Sequence, residues 1–358
     1  MKKALIAMSG GVDSAVAALL TAEAGYDCIG CTMHLFENQD AGVSPARSCC
    51  SLDDAEDARS VAYRLGMPHY VFNYTEEFRE RVICRFVSCY LRGETPNPCI
   101  DCNRSMKFGK LLERAQVLGC DCVVTGHYAV IEERDGRYSL KKARDAGKDQ
   151  TYVLYMLSQE QLARIRFPLG GMTKAETRRL AEARGFLNAK KPDSQDICFV
   201  PDGDYARVIE LHCGYPAAPG SFVDREGRIL GQHRGIIRYT VGQHRGLGLG
   251  WHEPLYVLRI DAEKNEVVLG PQEALLSREL VAPAFHWIAG EPPRGPVRCM
   301  AKARYRQREQ PALAEPLPDG GVRVIFDENQ RAITPGQSVV LYDGDTVLGG
   351  GEIGKEGR

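Results

Sequence analysis

Apolar and polar positions along this chain follow one pattern up to about residue 215 and another beyond it. In the first part, short apolar runs at 3–8, 28–34, 69–73 and 122–125 alternate with stretches of helical periodicity at 13–24, 52–65, 76–91 and 104–118. That order predicts an α/β fold, a parallel and doubly wound (Rossmann-like) sheet with its ligand site at the carboxyl ends of the strands. Two more helices are predicted at 151–165 and 174–184. After Tyr215 glycine and proline recur and helical periodicity fades. Short β-like runs follow at 221–224, 255–260 and 266–269, then at 279–288, 298–308, 321–326 and 338–342. These spacings predict two small β-barrel-like domains, 206–278 and 279–358, behind a first domain of 1–205.

The junction between the first apolar run and the first helix carries chemistry. Residues 9–14 read Ser-Gly-Gly-Val-Asp-Ser. A strand, a glycine turn and a helix start form an anion site, because free backbone N–H groups and the helix dipole both favour negative charge there. Gly10 and Gly11 let the backbone come close to a phosphate. Ser9 and Ser14 add hydroxyl donors, and Asp13 offers a carboxylate to a magnesium ion. No Gly-Lys-Ser/Thr follows, which separates this loop from those that cradle a transferable γ-phosphate.

Composition narrows the class. With 358 residues and a formal net charge of −1, the chain has room for real cores, and contact with nucleic acid must come from local patches. The N-terminal apolar run is too short for a signal peptide, and no stretch reaches membrane-spanning length, so a cytoplasmic protein is expected. Thirteen cysteines in a long, core-rich chain point to reactive or metal-binding thiols before a disulfide framework.

Three groups of thiols stand out. Cys99 and Cys102 lie in Thr95-Pro96-Asn97-Pro98-Cys99-Ile100-Asp101-Cys102-Asn103, a proline-stiffened segment ahead of a helix. There the helix N-terminus, with Arg104 and Lys107, is expected to lower the Cys102 pKa. The Cys99-x-x-Cys102 spacing also suits a metal half-site or a redox pair. Cys198, in Asp193-Ser194-Gln195-Asp196-Ile197-Cys198-Phe199, reads equally as a functional or a structural thiol. Cys49-Cys50 is open in the same way, whereas Cys28 and Cys31 read as strand core and Cys84, Cys89, Cys120, Cys122, Cys213 and Cys299 as packing.

Two basic clusters remain. From Lys302 to Arg308 every second residue is basic, with Arg304 and Arg306 between. On a strand this places four charges on one face with Tyr305 opposite, suited to a phosphate backbone or to a solvated edge strand. Lys141, Lys142, Arg144 and Lys148 form a looser group.

The chain closely resembles the bacterial tRNA-specific 2-thiouridylases, PP-loop ATP pyrophosphatases that place sulfur on the wobble uridine. The resemblance rests on SGGVDS (9–14), TPNPCIDCN (95–103), TGHYA (125–129), KDQTYVL (148–154), PDSQDICFV (192–200), YTVGQHRGLG (239–248), ARYR (303–306) and PGQ (335–337), in the family's order across nearly the whole chain. It implies that Ala7, Met8, Ser9, Gly10, Gly11, Val12, Asp13, Ser14, Met33 and Gly126 bind ATP, with Mg2+ as its companion. Cys102 matches the nucleophile and Cys198 the persulfide-bearing cysteine. Asn97, Pro98 and Cys99 match the segment that meets the target base. His127, Lys148, Asp149, Gln150, Arg304, Tyr305 and Gln337 match positions that contact tRNA. Cys99 stands where some family members have an aspartate.

The resemblance further implies the partners and the reaction. The partners are a tRNA with a wobble uridine and an upstream persulfide donor, with no membrane. ATP adenylates the uridine C2 oxygen, and sulfur from Cys198 replaces it. Either the persulfide attacks directly and Cys102 closes a disulfide, or Cys102 first liberates hydrosulfide. An iron–sulfur cluster on Cys99, Cys102 and Cys198 is the less favoured route, since such clusters normally take four cysteine ligands. The rival readings are a PP-loop enzyme adenylating a small metabolite and a non-catalytic RNA-binding or sulfur-carrier protein.

Overall fold

The computed structural model describes residues 1–42, 52–192, 197–250 and 253–355. Its first part is a five-stranded, all-parallel sheet. From one edge to the other the strands are His69–Asn73, Asp27–His34, Lys3–Ala7, Cys122–Val124 and Ile165–Arg166. Lys3–Ala7 sits in the middle, where Ala4, Leu5 and Ile6 are fully buried. Side chains alternate along it as a strand requires: Leu5 joins one core, with Phe108, Leu111 and Tyr152, while Ala4 and Ile6 join the other, with Val16, Ala58 and Val61. The same alternation splits Cys28 from Cys31, one in each core, so this pair packs and does not chelate.

Strand order reverses beside the central strand. The chain leaves Lys3–Ala7 toward one edge and returns through Cys122–Val124 on its other side. At such a switch point the loops after the two strands splay apart and open a crevice. The glycine loop 9–14 follows the first strand and Gly126 the second, so both line that crevice.

Two expectations for this domain need correction, and one strand was not foreseen. The span 151–165 is not one helix: Thr151–Val153 is a 3-10 turn, and a short helix, Gln159–Ala163, follows under a capping box from Ser158. The last strand, Ile165–Arg166, had no signal beyond two residues. The helix expected at 104–118 starts earlier, at Pro98, capped by Asn97, and runs through π-helical geometry over Asn103–Lys110 before Leu111–Val117. Proline is favoured in a first turn because its missing N–H is not needed there, which explains the early start.

Beyond residue 200 an unpredicted helix, Tyr205–Cys213, is capped by Asp204 and ends at Gly214 with φ +75°. A four-stranded sheet follows, ordered Tyr256–Asp261, Glu266–Gly270, Gly220–Val223, Ile229–His233, packed around Phe222, Tyr239 and Leu269. The C-terminal antiparallel sheet runs Leu276–Ala282, Val322–Arg331, Gln310–Pro316, Val297–Lys302, Ser338–Asp343, Thr346–Glu352. It then takes in the hairpin Val130–Arg134/Arg137–Lys141 from the first part of the chain, through Thr346 opposite Lys141. No described helix is long and apolar enough to cross a membrane.

Candidate functional site

The glycine loop is held in shape by its own residues. Ser14 Oγ accepts from the Ser9 amide at 3.1 Å and donates to the Gly11 carbonyl at 2.9 Å. Gly10 has φ +72°, and a Cβ there would stand 2.4 Å from the Asp54 carbonyl oxygen, so only glycine fits. Gly11 precedes the helix Val12–Glu23 with no side-chain cap, which leaves the amides at that helix start to a ligand. A Cβ on Gly126 would come within 2.8 Å of the Ser14 amide nitrogen. The two loops of the crevice therefore touch backbone to backbone.

Three residues that the sequence did not name as site residues complete this loop. Lys174, at the start of the helix Lys174–Ala183, places Nζ 2.7 and 2.8 Å from the two Asp13 carboxylate oxygens. Tyr128 donates its hydroxyl to Asp13 Oδ1 at 2.9 Å. Asn188 donates Nδ2 to the Gly10 carbonyl at 3.0 Å. Both Lys174 and Asn188 come from segments distant in sequence, with no local pattern to mark them.

Cys102 is buried in an apolar cluster with Phe86, Met106, Phe199 and Val200, and Met33 and Cys198 pack against that cluster. Burial pushes the Cys102 thiol up to about 11, with Lys107 opposing the shift. This reverses the expected lowering. The helix begins four positions earlier, at Pro98, so Cys102 sits beyond the first turn and among hydrocarbon. Cys99 is exposed in that first turn, where its amide donates to Asn97 Oδ1 at 3.2 Å. Cys84, expected to pack, is exposed. Cys49, Cys50 and residues 193–196 lie outside the described residues.

Next to Cys102 an ionic bridge joins distant parts of the chain. Arg85 holds the buried Asp101 carboxylate at 3.1 Å and reaches Glu352 on the C-terminal sheet. Two further contacts fasten that sheet to the cysteine segment: Gln337 Nε2 donates to the Thr95 carbonyl at 2.7 Å, and the Thr95 amide donates to the Pro335 carbonyl at 2.9 Å.

The basic face differs from its expected form. The strand ends at Lys302, and 303–309 is a turn in which the Gln307 amide bonds the Arg304 carbonyl at 3.1 Å. The four charges do not share a strand face. Arg304 turns inward, donating to the Val241 carbonyl at 3.0 Å and to Thr334 Oγ1. Arg306 and Arg308 stay exposed. Tyr305 lies 5.7 Å from Tyr152, centroid to centroid, with Lys302 Nζ within 5.7 Å of both rings. Burial raises the Tyr305 pKa, and Asp149, then Cys99, add to the shift, so the cysteine turn and this aromatic pair are neighbours.

The other residues matched to RNA contacts also make contacts within the fold. His127 is buried between Phe108 and Phe167 with Nδ1 2.7 Å from Thr125 Oγ1, and burial holds its pKa well below the usual value. Gln150 Oε1 accepts from the Tyr128 amide at 2.9 Å, and Asp149 accepts from the Ala143 amide at 3.0 Å and the Thr151 hydroxyl at 2.6 Å. In the looser basic group, Lys141 pairs with Glu132, Lys142 with Glu309 and Arg144 with Glu176. Lys148 closes a turn, its amide donating to the Asp145 carbonyl at 2.9 Å.

Comparison with known proteins places this geometry. Residues 2–202 match a family model described as the tRNA methyl transferase HUP domain, 211–271 the PRC-barrel domain and 277–353 the aminomethyltransferase β-barrel domain. The tRNA-specific 2-thiouridylase MnmA of Acetivibrio thermocellus is 51% identical over 98% of this chain and 99% of its own. The chain belongs to the tRNA-specific 2-thiouridylase family. Its namesake from Geotalea uraniireducens is 51% identical over 98% of this chain and 95% of its own, and that from Clostridioides difficile 48% over 99% and 98%.

In this 2-thiouridylase family member both carboxylate oxygens of Asp13 accept from Lys174. Cys99, Cys102 and Cys198 do not form a three-thiolate nest. Among the described residues, the trio with ligand atoms within 4.8 Å of one another is Cys89, Glu94 and Glu352. That trio is itself threaded by Arg85, Arg92 and Lys355, which supply its positive charge.

Proposed function

We propose that this protein is a tRNA-uridine 2-sulfurtransferase that uses ATP to replace the C2 oxygen of the wobble uridine with sulfur. Family membership over the whole chain supports the activity. The observation that carries the assignment of residues is the sharing of one apolar cluster by Cys102, Cys198 and Met33, the last on the strand that pairs with the one leading into the glycine loop. A metabolite-adenylating enzyme would have no use for two cysteines there.

In this reading residues 1–205 bind ATP and perform the chemistry, 206–278 connect, and 279–358 hold the RNA. Ala7 to Ser14 with Gly126 cradle the triphosphate, and their amides stabilise the departing pyrophosphate. The uridine C2 oxygen attacks the α-phosphorus, pyrophosphate leaves, and C2 becomes an electrophile with AMP as its leaving group. Asn97, Pro98 and Cys99 meet the base, next to Tyr305. The terminal sulfur of a persulfide on Cys198, loaded by an upstream sulfur donor, bonds to C2 as AMP departs. Cys102 then attacks Cys198 Sγ, which leaves sulfur on the base and a disulfide for an external dithiol to reduce. Burial among hydrocarbon keeps Cys102 protonated until that step, so the persulfide is not spent before RNA arrives.

The test separates the two halves of the reaction. Cys198→Ser is expected to release pyrophosphate in the presence of tRNA and ATP yet to form no 2-thiouridine. A wild-type yield of thiouridine from this variant refutes the role of Cys198. Pyrophosphate release without RNA at the full rate favours the metabolite reading.

A further inference from the structure

Asn188 sits in a 3-10 turn, Leu187–Lys190, and is 4% exposed. Its Nδ2 donates to the Gly10 carbonyl at 3.0 Å, while its Oδ1 has no hydrogen-bond partner. A buried amide oxygen without a partner is rare in folded proteins and costs stability unless something later fills the vacancy. The side chain has little freedom to turn away. Arg178 donates to the Ala189 and Lys191 carbonyls at 3.1 Å, and Lys191 reaches Asp54 and, at 2.8 Å, Asp57. Asp54 is also the residue whose carbonyl abuts Gly10. The turn is thus clamped on both sides with its amide fixed against the glycine loop.

We propose that Asn188 is a positioning residue of the nucleotide site: Nδ2 holds the left-handed Gly10 turn, and Oδ1 accepts a hydrogen bond from a water that the bound triphosphate orders. Its counterpart on the other side of the loop, the Lys174–Asp13 pair, is already satisfied without ligand, so the orphaned oxygen is the asymmetric feature. The inference rests on residues 9–14 being the ATP site.

The two ideas fail differently. Asn188→Leu removes donor and acceptor and keeps a side chain branched at Cγ. It removes the unpaired oxygen but also the bond to the Gly10 carbonyl, so the ligand-free variant is expected to melt somewhat below the wild-type temperature. Its ATP-induced rise in melting temperature should shrink, and its KM for ATP in tRNA-dependent pyrophosphate release should rise about tenfold with kcat changed by less than about twofold. An unchanged KM and an unchanged ATP-induced shift overturn the proposal. So does a lower melting temperature by the same amount with and without ATP, which is what a purely structural asparagine gives. If the leucine variant does not fold, Asn188→Ala is judged by its ATP-induced shift and KM alone. Gly10→Ala and Ser9→Ala test the underlying site: if both keep the full ATP-induced shift, the nucleotide assignment of the loop is wrong whatever Asn188 does.

Discussion

Around the glycine loop short-range contacts are joined by long-range ones that stay within the first domain, from Asp54, Tyr128, Lys174 and Asn188, whereas around Cys102 the contacts join that domain to the far end of the chain. Ser9, Gly11 and Ser14 close on one another within six residues. The segment bearing Cys99 and Cys102 is held by Arg85 to Glu352 and by Thr95 to Pro335 and Gln337. A site of the first kind is complete within one domain. One of the second kind is held in place by the C-terminal sheet, which ties the cysteine helix to the end of the chain.

The contrast breaks most sharply at the two glycines. Gly10→Ala puts a methyl group into the Asp54 backbone at 2.4 Å and forces φ +72° on an L-residue. It should destabilise the protein by about 2–4 kcal/mol and abolish ATP-induced stabilisation in a thermal melt. Gly11→Ala meets only Ser9 Oγ at 3.4 Å and should cost less than about 1 kcal/mol. Equal losses at the two positions would mean that the loop is not held as described.

The interdomain side is tested by Arg85→Met. It leaves the buried Asp101 carboxylate without its nearest cation and unlinks Glu352. With Arg85 two-fifths exposed, the expected cost is about 1–2 kcal/mol in denaturant unfolding. Sulfur transfer should fall further than tRNA affinity, because the cysteine helix is loosened while the outer RNA contacts remain. A variant that loses neither stability nor transfer shows the bridge to be ornamental.

Cys102 offers a pH test. With its thiol pushed up to about 11, alkylation of Cys102 in the ligand-free protein should climb about tenfold per pH unit from pH 7 to 9 without levelling off. Since the folded state keeps this proton longer than the unfolded chain does, its contribution to stability is full below the ordinary thiol value of 9.0 and is lost as pH rises toward about 11. A plateau near neutral pH, followed by mass spectrometry of the Cys102 peptide, would restore the helix-dipole reading.

The smallest effect expected is on RNA affinity. Arg306→Ala should weaken tRNA binding by a few-fold and reduce its salt slope by roughly one charge, as loss of a single phosphate contact does. Arg304→Ala should instead lower stability, because Arg304 ties the turn to Val241 and Thr334. If Arg304 changes the salt slope and Arg306 does not, the inward placement of Arg304 is not its working position.

Sequence periodicity revealed the sheet because its central strands, Lys3–Ala7 and Cys122–Val124, are apolar and buried on both faces, and the glycine loop because its motif is contiguous in sequence. It failed where tertiary contacts decide. The π-helical stretch after Cys102 and the early start at Pro98 moved the cysteine from a polar helix end into a core. Alternating charge at 302–308 mimicked a strand, yet Arg304 and Gln307 make a turn there by bonding across to other segments. Lys174 and Asn188 carry no motif of their own and are visible only once the helix Lys174–Ala183 and the turn after it pack against the glycine loop.

The most direct test of the central claim is the product itself. The protein is incubated with ATP, a persulfide donor and tRNA lacking wobble thiolation, and the digested nucleosides are weighed by mass spectrometry. The account predicts a gain of sulfur for oxygen at the wobble uridine, matched by one pyrophosphate per thiouridine and absent when ATP is left out. Unmodified uridine alongside RNA-independent pyrophosphate release would contradict it.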